Sequence, residues 1–302
     1  MTHLERVLVT TLLDESVHTP ADRRTTYREI GVFLGTTAIL TGVSTTVALV
    51  EGVDVRHIED ASALGQAAMY LQAFFPLLAA LAARLSVGGT LRGAGWGFRR
   101  PSWASVGGSW ALGVGSVLAG AAVVFGLGLA GVDDPALEPS LLLGATVLLA
   151  PYVVLALAED LGWRGLLVPR LAEVAGPRTV VLVGGLAWSA FHWPLMVLLG
   201  GTPDGAATWY AVVMFTIGIT ALGAVLASMQ LRWGIWPGVV LHAAVNATMY
   251  HVVDPVTVEK EHSGWFISET GLVAAVVYLA VAALWLRRFP LVHRADGGTT
   301  VR

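Results

Sequence analysis

Eight apolar windows of about twenty residues each constrain the fold more than any other feature of the sequence. A helix needs about this many apolar residues to cross the hydrocarbon core of a bilayer. Because unpaired backbone groups are costly in lipid, each window is expected to cross as a helix. We therefore predict an all-α, polytopic membrane helix bundle with about eight transmembrane helices. Seven of the windows are residues 31–50, 63–83, 107–130, 180–199, 208–229, 234–253 and 266–286. The remaining one, fourth in chain order, begins at residue 140 and runs into a charged segment at 158–165.

The composition supports a membrane protein and excludes several classes of function. The chain is 55% hydrophobic and 13% charged, with a mean hydropathy of +0.70, whereas soluble domains have about a quarter charged residues. A net charge of −3 without a basic stripe predicts no nucleic-acid partner. The lack of cysteine excludes disulfides, thiolate catalysis and zinc-thiolate sites. The preference for Arg over Lys, with abundant Ala, Gly, Val and Leu, is typical of GC-rich prokaryotic genomes, so we expect a prokaryotic inner membrane.

The distribution of basic residues between the loops predicts the topology. Alternate segments of the chain hold 16 of the 18 Lys and Arg residues, whereas the intervening loops hold only Arg56 and Lys260 against twelve Asp and Glu residues. By the positive-inside rule both termini are cytoplasmic and the number of crossings is even. We therefore expect a cytoplasmic segment at 1–30, an eight-helix domain at 31–286 and a cytoplasmic tail at 287–302.

Three ionisable side chains stand at the end of the fourth window, namely Glu159, Asp160 and Arg164. Charges at bilayer depth are costly, so they usually face a bundle interior and mark function. We expect one helix to continue to about Leu171, because no helix breaker precedes Pro169. On such a helix Asp160 and Arg164 can pair at a spacing of four, and Glu159 keeps a free carboxylate. The alternative is that all three are solvated at the cytoplasmic surface.

Two later windows place histidines at helical spacing from another polar or aromatic residue. Trp188 and His192 lie four apart, as do His242 and Asn246, so each pair shares a helix face. At about 1.5 Å per residue, these histidines, Asn246 and Glu159 fall in one layer, which we place near the cytoplasmic half of the bilayer. The alternative for each histidine is an ordinary hydrogen bond between helices.

A carboxylate, two imidazoles and an amide in one layer are the groups needed to activate water and stabilise an oxyanion. Two histidines and one carboxylate could equally form an open zinc site. The sequence has no Gly-x-Ser-Gly, Gly-x-Gly-Asp or His-Glu-x-x-His element, which other intramembrane hydrolases would require.

These motifs resemble those of the CPBP family, the CAAX proteases and bacteriocin-processing or self-immunity proteins, whose relatives include the type II CAAX prenyl endopeptidase. The family pattern has Glu-Glu-x-x-x-Arg, Phe-x-x-x-His and His-x-x-x-Asn or Asp on three helices. The corresponding stretches here are Glu-Asp-x-x-x-Arg at 159–164, Trp-x-x-x-His at 188–192 and His-x-x-x-Asn at 242–246. The similarity covers about residues 140–250. Two positions differ, since Asp160 replaces the second Glu and Trp188 replaces Phe.

The resemblance implies an intramembrane endopeptidase that acts on a peptide or protein substrate, with membrane-associated or lipidated substrates among the options. It implies that Glu159 and His192 activate the attacking water, while His242 and Asn246 bind the oxyanion. Asp160 and Arg164 would then be an orienting or structural pair. We expect Asp160 to be tolerated in place of Glu, because it can still pair with Arg164.

The family has been described both as zinc metalloproteases and as metal-independent glutamate peptidases. A zinc ion would be bound by Glu159, His192 and His242. We favour the glutamate mechanism without a cofactor, because Asn246 looks more like an oxyanion donor than a zinc ligand. The alternative function is a non-catalytic membrane immunity protein or a transporter with a buried polar ligand site. No inverted repeat of interrupted helices is visible, which counts against a transporter.

Overall fold

The computed structural model describes residues 23–91, 95–133, 146–147 and 149–291. It is 78% helical, which confirms the predicted all-α class. The sheet found in the described part of the chain is a pair of two-residue antiparallel strands, β1 (Gly131–Val132) and β2 (Thr257–Val258).

Ten α-helices make up the described bundle, and short turns of other helical types join or extend several of them. A 3₁₀ turn at Leu71–Phe74 connects α2 to α3, and π turns at Trp163–Leu167 and Met249–Val253 follow α5 and α9. The helices are α1 (Arg23–Val50), α2 (Ala63–Tyr70), α3 (Phe75–Ser86), α4 (Trp103–Gly126), α5 (Leu149–Gly162), α6 (Val168–Val174), α7 (Pro177–Leu198), α8 (Thr208–Trp233), α9 (Ile235–Thr248) and α10 (Leu272–Arg288).

Helices occupy all eight predicted windows, and five helical runs are long and apolar enough to cross a membrane: α1, α2 with α3, α4, α7 and α8. The helices in the other three windows are shorter, with 14 residues in α5, 14 in α9 and 17 in α10. The chain is thus an integral membrane protein, and the number of eight crossings stays a prediction. Residues 1–22, 140–145, 148 and 292–302 of the predicted segments lie outside the described residues.

The first helix includes part of the segment that we expected to precede it. α1 already contains residues 23–30, whereas the sequence suggested a separate cytoplasmic segment up to residue 30. Thr26 and Glu29 are fully buried in this first part of the helix. The carboxylate of Glu29, just before the apolar window, therefore lies against other helices, and hydropathy alone could not reveal this.

The last helix begins six residues later than the sequence suggested, at Leu272 instead of residue 266. Ser268 has a positive φ of 62°, which breaks a right-handed helix at that position. The backbone then folds so tightly that a Cβ on Gly271 would collide with the carbonyl groups of Phe266 and Ile267. Residues 266–271 are consequently a loop that leads into α10.

The predicted continuation of the fourth helix beyond its charged motif is confirmed. The chain remains helical from Leu149 to Val174, although a π turn separates α5 from α6. Pro169 is tolerated because it lies in the first turn of α6, where its missing N–H matters least. The pattern of the sequence predicted the length of this helix but not its π turn.

Close packing between helices fixes the segments that carry the three motifs. A Cβ on Gly162 would collide with the Pro76 carbonyl, so this glycine allows α5 to approach α3 just after the charged motif. A Cβ on Gly113 would lie 2.8 Å from the Leu241 carbonyl oxygen, so α4 approaches the backbone of α9. The central helix is α8, which packs between α7, α9 and α10.

Candidate active site

Trp188 lies at the centre of the three motifs and is 1% exposed. Its indole Nε1 donates a hydrogen bond of 3.1 Å to the Glu159 carboxylate. Its backbone carbonyl, one helical turn before His192, lies 2.9 Å from the Nδ1 atom of that histidine. One residue of α7 therefore contacts both the free carboxylate of α5 and the histidine of α7.

The contact with a carbonyl oxygen fixes the tautomer of His192. A carbonyl group can only accept a hydrogen bond, so the proton of the neutral ring must be on Nδ1. The lone pair is then on Nε2, which is the nitrogen that a general base requires. Phe191 and Phe215 contact the ring edge-on, with centroids at 4.9 and 5.4 Å, and hold its plane.

Asp160 and Arg164 form the predicted ion pair, with 2.7 Å between Oδ1 and Nη1. Asp160 is fully buried and Arg164 is 3% exposed, so the alternative of a solvated surface cluster does not hold for these two residues. The guanidinium carbon also lies 3.7 Å from the centre of the Trp188 ring. This distance is typical of a cation–π contact, so Arg164 supports the indole that contacts Glu159.

Asp160 also faces the third motif, at 3.6 Å between its Oδ1 and the Nδ1 of His242. This distance exceeds that of a hydrogen bond, and the Nδ1 of His242 has no other partner among the described residues. The His242 ring contacts Trp188 edge-on at 5.2 Å between centroids. Asp160 is thus the carboxylate that an Nδ1–H of His242 would face, and this arrangement leaves Nε2 directed elsewhere.

Asn246 lies one turn after His242 on α9 and is half-buried. Its side chain makes no hydrogen bond within the part of the chain that the structure describes. The structure therefore joins Glu159, His192 and His242 around Trp188, whereas Asn246 is adjacent only through its helix. The rings of His192 and His242 both contact the Trp188 ring edge-on, with centroids at 6.2 and 5.2 Å.

A cavity of about 830 Å³ reaches His192 from one end of the bundle. Its walls come from α4, α7, the π turn after α9 and α10, and its mouth lies among the loops at 55–58, 201–203 and 254–270. His192 lies about 22 Å from the start of α7 but only about 9 Å from its end. His192 therefore lies nearer the end of α7 that borders the acidic loops, and its depth relative to the cytoplasmic half of the bilayer stays a prediction.

The zinc hypothesis can be tested against the positions of the proposed ligands. Two ligand atoms at about 2 Å from one ion cannot lie more than about 4 Å apart. Among the described residues, the group of three whose ligand atoms lie within 4.8 Å of one another is His57, Glu59 and Asp60, all exposed. Glu159, His192 and His242 do not form such a group, so this arrangement does not fit a three-ligand zinc site.

Two features of the site were not predicted from the sequence. The bond from Trp188 to Glu159 and the approach of Asp160 to His242 join residues 29 and 82 positions apart. Helical spacing identified which residues share a face of one helix, but it carries no information on which faces meet. The sequence offered one indication of the first contact, namely Trp188 at a position where the similar family has Phe. Of these two residues only tryptophan has a side-chain N–H that can donate to Glu159.

The fold and the site together define a membrane-embedded helix bundle with a buried cluster of carboxylates, imidazoles and one guanidinium. Residues 139–248 match the family model described as "Type II CAAX prenyl endopeptidase Rce1-like". This segment, a little over a third of the chain, contains all three motifs and is thereby assigned to the CAAX-protease family of intramembrane proteases, as the resemblance implied. No curated protein sequence matches the chain.

Proposed function

We propose that the chain is an intramembrane endopeptidase of the glutamate type, with Glu159 and His192 as the residues that activate water. The observation that carries this proposal is the double role of Trp188. Its indole orients the Glu159 carboxylate, and its carbonyl fixes the tautomer of His192. A base is effective when its lone pair is oriented before the substrate arrives, and here both groups are held by one rigid residue.

The reaction is the hydrolysis of a peptide bond. Water attacks the carbonyl carbon while Glu159, assisted by the Nε2 of His192, accepts its proton. The C–N bond then breaks, and the proton is transferred to the leaving amine, so that the products are a carboxylate and an amine. General base catalysis of this kind contributes about 10²- to 10⁴-fold in rate.

His242 and Asn246 are proposed as the donors to the oxyanion that forms when water adds to the carbonyl group. Asp160 would act as a positioning residue, because a proton on the Nδ1 of His242 faces its carboxylate. Arg164 keeps Asp160 ionised by pairing with it inside the bundle. Removal of one oxyanion donor typically lowers the turnover number by about 10²- to 10³-fold.

We further propose the topology and setting that the charge distribution predicts. The chain would cross an inner membrane of a prokaryote eight times, with both termini in the cytoplasm. Its substrate would be a peptide or protein, with membrane-associated or lipidated substrates among the options. No cofactor is part of the proposed mechanism.

Cleavage by the purified protein tests the catalytic assignment. The full chain in lipid nanodiscs is incubated with pools of quenched fluorescent peptides, and the same assay is run on Glu159→Ala and His192→Ala. We expect cleavage to fall by about 10³-fold in each variant. His57→Ala, which alters an exposed histidine far from the site in sequence, is the matched control and should cleave like the wild type. Unchanged cleavage in both site variants would refute the proposal.

A chelator separates the two mechanisms that the family resemblance left open. Under the glutamate mechanism, cleavage should be the same before and after dialysis against a zinc chelator. Loss of cleavage that returns on addition of zinc would instead show that the enzyme depends on a metal ion and would overturn the glutamate mechanism.

A non-catalytic ligand-binding membrane protein is the second candidate, because the bundle contains a cavity of about 830 Å³ next to the buried polar cluster. Cavities of about 300 to 1,000 Å³ are typical of ligand sites. This candidate predicts that Glu159→Gln leaves ligand binding intact and that no peptide pool is ever cleaved.

A further inference from the structure

The wall of the cavity carries three carboxylates, from Asp254, Glu259 and Glu269. Among the described residues, none of the three forms an ion pair with Lys or Arg. Lys260, beside Glu259 in sequence, instead donates to the Gly128 carbonyl at 2.9 Å. The cavity therefore has an acidic wall that the protein itself does not neutralise.

Arg56 is the arginine in the lining of this cavity, and its charge is already matched. Its guanidinium group pairs with Asp204 at 2.6 Å and with Asp54 at 3.2 Å. These two carboxylates hold it at the mouth of the cavity, on the 3₁₀ turn at Val55–Asp60. Arg56 is consequently not available to neutralise the acidic wall.

One neutral donor, the hydroxyl group of Tyr250, orients Glu269 in the acidic wall. The Tyr250 hydroxyl lies 2.9 and 3.0 Å from the two carboxylate oxygens of Glu269, to which it donates. Tyr152 stacks on Tyr250 with ring centroids 6.2 Å apart. Such a contact orients the carboxylate but leaves its negative charge uncompensated, so the group remains able to bind a cation.

The pKa of Asp254 reflects the uncompensated negative charge of the acidic wall. Desolvation and the nearby charges of Glu269 and Glu259 raise the pKa of Asp254 to about 7. Like charges that share a cavity disfavour ionisation, and an arriving cation would reverse that effect. Glu269 and His192 line the same cavity, so the wall opens onto the candidate active site.

The rest of the lining is suited to apolar groups and contains one buried hydroxyl. Apolar side chains such as Val117, Val124, Phe215 and Val277 form much of the wall between the acidic residues and His192. Thr270 also belongs to the lining, is 4% exposed, and its hydroxyl has no hydrogen-bond partner among the described residues. A ligand that fits this cavity combines apolar groups with a cation and a hydrogen-bonding backbone.

We propose that Asp254 and Glu269 bind a basic side chain of the peptide substrate, whose apolar neighbours occupy the cavity as far as His192. This inference rests on the proposed peptidase function, since it names the substrate of the same site. The substrates are then peptides with a Lys or Arg residue beside an apolar stretch. They enter among the acidic loops, on the face that the charge distribution predicts to be non-cytoplasmic.

Binding of matched peptides tests the inference without depending on cleavage. The full chain carrying Glu159→Gln is placed in nanodiscs and titrated with two fluorescein-labelled decapeptide pools of apolar sequence. The pools differ only at one fixed position, which is Lys in one and norleucine in the other. We expect the Lys pool to bind about tenfold more tightly, as one added ion pair in a partly desolvated cavity would give. The preference should decrease as salt is added.

Variants of the acidic wall assign the preference to its residues. The double variant Asp254→Asn, Glu269→Gln should reduce the preference to about twofold or less, because both carboxylates are removed without a change of shape. Glu261→Gln, on the same loop but outside the cavity lining, is the matched control and should keep the tenfold preference. Binding that does not distinguish the pools, absence of binding to either pool, or a preference that survives in the double variant would each overturn the inference. Cleavage by the wild type and its loss in His192→Ala are measured separately, so failure of the peptidase proposal is distinguishable.

Discussion

Two clusters of charged side chains lie inside this bundle, and their partners differ. The first, which we name the α1 brace, consists of Glu29, Arg84, Arg170 and Glu173. Glu29 pairs with Arg84 at 2.8 Å and with Arg170, and Arg170 also pairs with Glu173 at 2.6 Å. Each charged group of the brace faces a group of opposite charge, as buried charges require if they only hold helices together.

The second cluster is the candidate active site, where one carboxylate lacks such a partner. Asp160 and Arg164 neutralise each other, but Glu159 has only the neutral indole of Trp188 as its recorded partner among the described residues. Buried charge alone therefore does not mark function in this bundle. The informative feature is a half-buried acid whose only hydrogen bond among the described residues comes from a neutral donor, beside a histidine whose Nδ1 is held by a backbone carbonyl.

The largest effect should come from Glu159→Gln, which separates the two clusters by function. Gln can still accept the indole hydrogen bond, so the fold should be retained, but it cannot take a proton from water. We expect the turnover number for peptide cleavage to fall by about 10³-fold. The free energy of unfolding should change by less than about 1 kcal/mol. Purified protein in nanodiscs provides both measurements, and retained turnover would contradict the role of Glu159.

Glu29→Gln should have the opposite profile. Removal of this buried charge leaves two arginines facing a neutral group, which should lower the free energy of unfolding by about 3 kcal/mol. Turnover per folded molecule should stay within about twofold of the wild type. Asp204→Asn is the matched control, because it removes a carboxylate from an exposed pair and should cost less than about 1 kcal/mol. A selective loss of turnover in Glu29→Gln would erase the distinction between the clusters.

Asp160→Asn tests whether this residue positions His242. We expect the turnover number to fall by about 10²-fold with little change in KM, because the side chain that faces the Nδ1 of His242 loses its charge. Asp160→Glu introduces the residue of the resembling family and should restore most of the turnover. Turnover per folded molecule that stays at the wild-type level in Asp160→Asn would instead indicate a purely structural pair with Arg164.

Trp188→Phe should lower turnover by about tenfold. The change removes the indole donor to Glu159 but keeps the backbone carbonyl that fixes His192 and an aromatic ring beside Arg164. The lost hydrogen bond is worth about 1 kcal/mol. Trp193→Phe is the matched control, since its indole donates to Ser189 on the same helix, and it should cleave like the wild type.

The smallest effect concerns pH and the acidic wall. The pKa of Asp254 is raised to about 7, so its carboxyl is mostly neutral at about pH 6 and mostly ionised at about pH 8. Binding of the Lys pool should therefore strengthen by about threefold over this range, and Asp254→Asn should flatten the change. Glu259 and Glu269 face the same cavity and remain in both proteins, so the difference between the two pH profiles isolates Asp254.

Local periodicity predicted the helices and the pairs within them. The windows located all eight helical regions, and the spacing of four between Asp160 and Arg164 predicted their ion pair. Both depend on interactions within one helix, which sequence spacing determines directly. The family motifs further indicated which helices carry polar residues toward one another.

Contacts between helices could not be predicted in the same way. Asp160 meets His242 because Gly113 and Gly162 allow α4, α5 and α9 to pack closely, and neither glycine carries a signal for its partner. The late start of α10 depends on a loop whose apolar residues line the cavity, so hydropathy assigned them to a span. The acidic wall combines Glu269 within that loop with Asp254 and Glu259 before it, and it was not predicted.

The π turn at Trp163–Leu167 accommodates one additional residue between the candidate active site and the α1 brace. A π turn holds one residue more than an α turn, so deletion of a single residue there would regularise the helix. The residues of a π turn complete about the same rotation as an α-helical segment that is one residue shorter, so Arg170 would still face Glu29 after such a deletion. Homologous chains that lack one residue in this segment should therefore keep the acid at position 29.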